Sequence, residues 1–390
     1  MTAERAARAE RHRRLEADFR RGKRPALARA ISMVEGERPG VADLLRQLLL
    51  VPPRARRIGI TGPPGAGKSS LAAHLATRLR ARGEEVAIVA VDPTSPFSGG
   101  ALLGDRIRMN DLATDPGIFI RSMATRGSLG GLAATTREVI DLLDAFGFPN
   151  IMIETVGVGQ TQLEIQAAAD TTAVVLVPES GDGIQAMKAG LMEIADVFVV
   201  NKSDRVGADR LMREIRQALL LKAGLASHDA PGHHGVDLSR VASRGGGDRS
   251  GGRHGDHGAA PPEDVGVPAA GPPGKSPGPR WQIPVLKTSA GRGEGIDEFL
   301  EQLVAHHRHL TDSGLLEGRR EQRARGRIRD VVERRLRRRA LDTMETDPRF
   351  SRWASEVGAG RETAYGVADR IIRAIFNRVP EDGPKDHDED

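Results

Sequence analysis

A glycine-rich string that ends in a lysine and a serine has the strongest chemical signal in the sequence. It reads Gly62-Pro63-Pro64-Gly65-Ala66-Gly67-Lys68-Ser69 and follows the short apolar run Ile58–Thr61. Glycines at this spacing let backbone N–H groups surround phosphate oxygens, and the N-terminus of a following helix adds positive potential. Lys68 would neutralise the β- and γ-phosphates, and the Ser69 hydroxyl would bind Mg²⁺. The string predicts a phosphate-binding loop whose contacts extend to Ser70.

A second motif with chemical meaning is Asn201-Lys202-Ser203-Asp204, which directly follows the apolar run Val197–Val200. The Asp204 carboxylate can accept hydrogen bonds from both the N1–H and the 2-amino group of guanine, whereas adenine offers no such pair of donors. Lys202 would lie along the base, and Asn201 would connect this loop to the phosphate-binding loop. The motif therefore predicts GTP and GDP as ligands.

The pair Ser289-Ala290 follows another apolar run, Val285–Lys287. Because ligands of parallel sheets bind where the strands end, we expect this pair to form a second loop in contact with the base. The alternative left open is an ordinary turn at the end of a strand.

Three acidic residues are candidates for the magnesium site and for catalysis with Lys68. Asp92 and Glu154 each end an apolar run, and Asp105 follows the polar loop after Asp92. Because Mg²⁺ prefers oxygen ligands, we predict that Asp92 binds the ion together with Ser69 and that Glu154 reaches it through a water molecule. The alternatives are a turn-capping role for Asp92 and no role in the switch for Asp105.

The residues after Glu154 predict how the nucleotide is sensed. The N–H of Gly157 would contact the γ-phosphate. The next residue is Val158, at a position where many GTPases carry a glutamine that orients the attacking water. We therefore expect slow intrinsic hydrolysis that a partner or a dimer contact accelerates. A further polar loop containing Asp182 and Lys188 would face the nucleotide or a partner, or would simply connect a strand to a helix.

Strands and helices that alternate along the chain must position these candidate site residues. Continuous apolar runs alternate with amphipathic segments, which predicts an α/β fold of the P-loop NTPase type, with a mostly parallel central sheet covered by helices on both faces. The predicted boundaries are 1–50 for an N-terminal helical segment, 51–223 and 281–312 for the sheet-bearing domain, 224–280 for a disordered low-complexity insert, 313–379 for a C-terminal helical arm, and 380–390 for an acidic tail.

Composition narrows the class of protein. The chain of 390 residues has no cysteine, which excludes disulfides and thiolate metal sites and is typical of a reducing compartment. No apolar run is long enough to span a bilayer and no secretory signal is visible, so we expect a cytoplasmic protein without membrane contact. The basic segment Arg319–Arg339 lacks a nucleic-acid recognition motif, so we expect no nucleic-acid partner and a solvated or dimer-facing role for it.

Several linked strings resemble the MeaB/ArgK family, whose human counterpart is MMAA. They are Val91-Asp92-Pro93, Ser98-Gly99-Gly100, Leu103-Gly104-Asp105-Arg106, Gly127–Gly131, Glu154–Gln160 and Asn201–Asp204. The resemblance implies a homodimeric GTPase that gates the loading and repair of adenosylcobalamin in an acyl-CoA mutase, either methylmalonyl-CoA or isobutyryl-CoA mutase. It implies that residues 313–379 form the dimerisation arm and that Asp92, Asp105, Glu154, Asp182 and Lys188 belong to switch loops. The 224–280 insert departs from the family pattern.

Two other classes remain as alternatives. A nickel-insertion GTPase could use the five histidines of the insert, although these have no fixed ligand spacing and no cysteine accompanies them. An ATP-dependent kinase would leave the Asp204 carboxylate unmatched by adenine. We therefore favour the mutase-associated GTPase.

Overall fold

A computed structural model of the chain describes residues 2–92, 112, 114–124, 134–155, 165–178, 190–222 and 280–377. The predicted residues Asp105, Gly157, Asp182 and Lys188 lie outside these ranges, as does the insert up to residue 279. The chain divides between Leu316 and Glu317 into two compact units.

The first unit is built on a parallel sheet. Its described strands are β1 (Arg56–Thr61), β2 (Val86–Asp92), β3 (Ile118–Ala124), β4 (Asn150–Thr155), β5 (Thr171–Leu176), β6 (Val197–Val200) and β7 (Val285–Lys287). They form a seven-stranded sheet in the order β3-β2-β4-β1-β5-β6-β7, and each described pair is parallel. The predicted parallel sheet is confirmed.

Helices connect and cover these strands. Those described in the first unit are α1 (Thr2–Arg20), α2 (Arg24–Glu35), α3 (Val41–Leu48), α4 (Lys68–Ala81), α5 (Ala134–Phe146), α6 (Leu191–Ile194), α7 (Ala208–Lys222) and α8 (Ile296–Asp312). Helix α9 (Leu315–Thr346) begins at the end of this unit, and α10 (Phe350–Gly358) and α11 (Ala364–Asn377) follow it. Within the described ranges, the chain has no helix that is both long and apolar enough to cross a membrane.

Both faces of the sheet are buried, which explains why its strands read as continuous apolar runs. In β2, Val86 and Ile88 belong to a core that includes buried residues of α4 and α8. Ala87 and Val89 point to the opposite face and belong to a core shared with α1, α2, α3, α5 and α7. This alternation is the two-residue period of a β-strand, with an apolar layer on each side.

The N-terminal helices α1–α3 are an integral part of the first unit. The Phe19 ring of α1 meets the Phe146 ring of α5 edge-on, with centroids 5.1 Å apart. At the start of α2, Arg24 donates a hydrogen bond to the carbonyl oxygen of Ile118 at 2.8 Å. At its end, Glu35 accepts two hydrogen bonds from the guanidinium group of Arg121. The segment is thus fixed to the start and to the middle of β3 and contributes to one continuous core.

We expect Phe19→Ala to lower the free energy of unfolding by about 3–5 kcal/mol, because it removes a large side chain from a packed site that is only 2% exposed. Urea unfolding of the full chain, followed by circular dichroism, measures the change. Leu50→Ala is the matched control: Leu50 is 83% exposed, so its truncation should change the free energy by less than about 0.5 kcal/mol. Equal stability of the two variants would contradict the integral role of the N-terminal helices.

The second unit has its own small core. Trp353 of α10 packs with Val367, Ile371 and Ile375 of α11. Two guanidinium groups, those of Arg349 and Arg370, lie 5.0 Å and 5.9 Å from the centre of the Trp353 ring. On α9, the side chains of Ile328, Val332 and Leu336 are exposed, and their spacing of four residues places them on one side of the helix.

Candidate nucleotide-binding site

The glycine-rich string forms a tight loop between β1 and α4. The φ angles of Gly62, Gly65 and Gly67 are 142°, 73° and 86°. Residues that have a Cβ atom rarely adopt such values. A Cβ atom on Gly62 would also lie 2.0 Å from the carbonyl oxygen of Val175. Glycine is therefore required where the loop leaves the strand, and the backbone can take the phosphate-binding conformation.

Lys68 begins α4 and is buried, with 6% of its surface exposed. Its ammonium group donates hydrogen bonds to the carbonyl oxygens of Gly62 at 3.0 Å and Pro63 at 2.9 Å. These contacts hold the positive charge against the loop at the N-terminus of the helix, where the helix dipole also favours anions. The arrangement can bind phosphate groups.

Ser69 and Glu154 meet directly. The Ser69 hydroxyl donates to Glu154 Oε1 at 2.5 Å, and both side chains are buried. The contact joins α4 to β4, which pairs with β1 through Ile60 and Glu154. A hydroxyl and a carboxylate side by side form an oxygen-rich ligand set that fits Mg²⁺. Asp92 ends β2, the other neighbour of β4, so its backbone lies at the same edge of the sheet.

Asn201 connects the loops of the site. Its Nδ2 donates to the carbonyl oxygen of Ala66 at 2.8 Å, and its Oδ1 accepts from the Thr288 hydroxyl and from the Ala290 N–H, each at 3.1 Å. A Cβ atom on Gly67 would lie 2.3 Å from Nδ2, so the close approach depends on that glycine. One buried amide thereby links the phosphate-binding loop to the loops expected to hold the base.

Asp204 faces solvent beside the Ser289-Ala290 loop. The Ser289 hydroxyl donates to Asp204 Oδ1 at 2.7 Å. This bond lowers the pKa of Asp204 below its ordinary value, and Arg292 and Arg205 nearby lower it further. The group is therefore a carboxylate at neutral pH, able only to accept hydrogen bonds. Lys202, two residues earlier, has a φ of 55°, which is a left-handed conformation.

The predicted site residues that the structure describes lie at the carboxyl ends of the strands. The residues brought together there are Gly62, Pro63, Pro64, Gly65, Ala66, Gly67, Lys68, Ser69, Ser70, Glu154, Asn201, Lys202, Asp204, Ser289 and Ala290. Only the backbone of Asp92 is described. The histidines of the nickel alternative lie outside the described residues, among which no three His, Asp or Glu side chains group as a metal site.

Two contacts were not anticipated from the sequence. Thr288 bonds to Asn201, and its position directly before Ser289 at a strand end is a signal that could have revealed it. His74 on α4 lies 2.7 Å from the carbonyl oxygen of Ala290. No sequence signal marks His74, because it is one polar position among several on an amphipathic helix.

A parallel sheet that presents a G-x-x-x-x-G-K-S loop and an N-K-x-D loop at the same edge defines the class of P-loop GTPases. The family model described as methylmalonyl Co-A mutase-associated GTPase MeaB matches residues 27–345. The chain therefore belongs to the MeaB family, which confirms the resemblance seen in the sequence.

Individual relatives agree with this assignment. A Pyrococcus abyssi protein named as a GTPase is 38% identical over 358 residues, which cover 92% of this chain and 95% of that protein. The mouse methylmalonic aciduria type A homolog, mitochondrial, is 39% identical over 225 residues, 53% of this chain and 54% of that protein. The crystal structure of an LAO/AO transport system kinase has the same fold, with a TM-score of 0.59 at 23% identity, covering 94% of this chain and 97% of that one.

Proposed function

We propose that this GTPase binds GTP and GDP with Mg²⁺ at the described loops, and that hydrolysis gates the loading and repair of adenosylcobalamin in an acyl-CoA mutase. The observation that carries the nucleotide assignment is Asn201, whose amide bonds to both the phosphate-binding loop and the Ser289-Ala290 loop. The description of the family as mutase-associated supports the choice of partner.

The residues have separate roles in this proposal. The backbone N–H groups of residues 62–67 and the ammonium group of Lys68 bind the phosphates, and Asp204 and Lys202 hold the guanine base. Ser69 and Asp92 would hold Mg²⁺, with Glu154 reaching it through a water molecule, and the ion when bound neutralises charge on the phosphates. The buried hydrogen bond between Ser69 and Glu154 supports this set because it places the carboxylate beside the hydroxyl ligand. Asp105, Asp182 and Lys188 remain predicted switch residues, and Gly157 remains a predicted contact of the γ-phosphate.

Slow, partner-controlled turnover is the second part of the proposal. Val158 follows the predicted γ-phosphate contact Gly157, and an aliphatic side chain cannot orient an attacking water by a hydrogen bond. We propose that the mutase or a second copy of the chain supplies the hydrogen-bonding group for the attacking water that Val158 lacks. The exposed apolar residues Ile328, Val332 and Leu336 of α9 support a homodimer formed through the C-terminal helices. A cytoplasmic location belongs to the same proposal.

The partner assignment is tested by capture of purified methylmalonyl-CoA mutase and isobutyryl-CoA mutase on the immobilised full chain. We expect one of them to bind, with an affinity that differs at least about fivefold between GDP and a non-hydrolysable GTP analogue, since coupling between two sites is typically worth about 1–3 kcal/mol. The Lys68→Ala variant, which is expected to bind nucleotide poorly, is the control and should show no such difference. Failure of both mutases to bind in either nucleotide state would overturn the chaperone role.

A further inference from the structure

The loop that follows β7 is held from two opposite sides. The N–H of Ala290 donates to Asn201 Oδ1 at 3.1 Å. The carbonyl oxygen of the same residue lies 2.7 Å from Nε2 of His74. A carbonyl oxygen can only accept, so Nε2 of His74 is the donor and carries the hydrogen. Both polar groups of the Ala290 backbone are therefore engaged by side chains distant in sequence.

His74 belongs to the helix that also carries the phosphate-binding lysine. Helix α4 begins at Lys68, and His74 lies about 9 Å further along its axis. The helix thus contacts the phosphate side of the site at its first residue and the base side almost two turns later. A second link from α4, between Arg78 and Asp297 of α8, is 2.7 Å long. Its side chains are largely exposed, so it contributes little rigidity.

The loop is closed locally as well. The N–H of Ser289 donates to the carbonyl oxygen of Glu294 at 3.1 Å, and the N–H of Glu294 donates back at 3.2 Å. This small bridge fixes the shape of the loop. It does not connect the loop to the phosphate-binding helix. The backbone of Ala290 makes that connection through His74, and it is linked to the phosphate-binding loop through Asn201.

We propose that His74 is a positioning residue for guanine recognition: its hydrogen bond to Ala290 sets the distance between the base-contacting loop and the phosphate-binding helix. The inference rests on the proposed guanine-binding role of the Ser289-Ala290 loop. A nucleotide has a fixed span between its base and its phosphates, so a pocket that holds both ends tightly needs its two sides held in register. His74 contributes to base selectivity through Ala290, without contacting the reacting phosphates.

The test compares two replacements that differ in reach. The amide nitrogen of Gln occupies nearly the position of the histidine Nε2, whereas that of Asn is too short to meet the Ala290 carbonyl. We expect His74→Asn to weaken GDP binding by about 3- to 10-fold, the effect of one lost hydrogen bond, while ADP binding and kcat change by less than about twofold. His74→Gln should restore GDP affinity. Calorimetric titration of the full-length protein with GDP and ADP gives these ratios.

Two controls separate positioning from a general defect. Thr77→Ala alters the same helix at an exposed side chain whose bond is to Ala73 within the helix, and it should leave both affinities unchanged. Melting temperatures of all variants show whether they are folded. A GDP-to-ADP affinity ratio in His74→Asn equal to that of the wild type would overturn the inference, as would failure of His74→Gln to restore it.

The guanine pocket itself is tested separately with Asp204→Asn. If this variant gains affinity for xanthine nucleotides and His74→Asn keeps the wild-type GDP-to-ADP affinity ratio, only the role of His74 is refuted and the assignment of the base pocket stands. If Asp204→Asn gains no such affinity, the assignment of the base pocket fails, and the role of His74 fails with it.

Discussion

Replacement of Lys68 by alanine will weaken GDP binding by at least about 100-fold and abolish detectable GTP hydrolysis. The Lys68 ammonium is buried and held against the loop by the carbonyl oxygens of Gly62 and Pro63. In the complex it would make two or more hydrogen bonds to phosphate oxygens, each worth about 1.5–3 kcal/mol because both partners are charged. Since about 1.4 kcal/mol is a factor of ten in affinity, the loss of two such bonds accounts for the predicted effect.

A fluorescent GDP titration and a phosphate-release assay measure these two quantities. Lys23→Ala is the matched control: this lysine pairs with Asp18 at 2.7 Å on the N-terminal helices and is half exposed, so its loss should change neither. The pair of variants also separates loss of a charge at the site from loss of a charge elsewhere. Hydrolysis by Lys68→Ala within tenfold of the wild-type rate would contradict the assignment of the phosphate-binding loop.

The strands of the sheet could be predicted because they are covered on both faces. A strand buried on both sides must be apolar at nearly every position, and such runs stand out between amphipathic helices. The prediction was less complete where this condition fails. The apolar run in strand β3 covers only Ile118–Ile120, but the pairing of the strand with β2 continues through Arg121 and Ser122 to Ala124. The hydrogen-bond ladder, which is independent of side-chain type, extends the strand beyond its apolar part.

The motifs of the site could be predicted because each is a local string with its own chemistry. The link from Asn201 to the phosphate-binding loop was expected, and the hydrogen bond to Ala66 is present. The sequence contains no comparable signal for contacts between distant residues. His74 and Ala290 are 216 residues apart in sequence, and nothing near either one indicates the other. The docking of α1 on α5 through Phe19 and Phe146 is hidden for the same reason.

Asp204→Asn is expected to exchange the base that the protein selects. The variant should lose at least about 100-fold in the affinity ratio of GTP to XTP, because a pocket built to pair with specific donors rejects a base that cannot supply them. An asparagine amide can still accept from N1–H, but it presents N–H to the 2-position, where guanine has an amino group and xanthine an oxygen. The low pKa of Asp204 keeps the wild-type group an acceptor at neutral pH. Competition of GTP, XTP and ATP against labelled GDP measures the ratio.

A control variant and a comparison with Lys68→Ala show whether the effect of Asp204→Asn is specific to the base. Asp209→Asn makes the same chemical change five residues away, at a carboxylate that pairs with Lys287, and should keep the preference for GTP. Because Asp204→Asn leaves Lys68, Ser69 and Glu154 intact, it should hydrolyse XTP at nearly the wild-type rate for GTP. Lys68→Ala, in contrast, should fail with every base. If Asp204→Asn still preferred GTP, or if ATP displaced GDP from the wild type as well as GTP does, base selection would have to lie elsewhere.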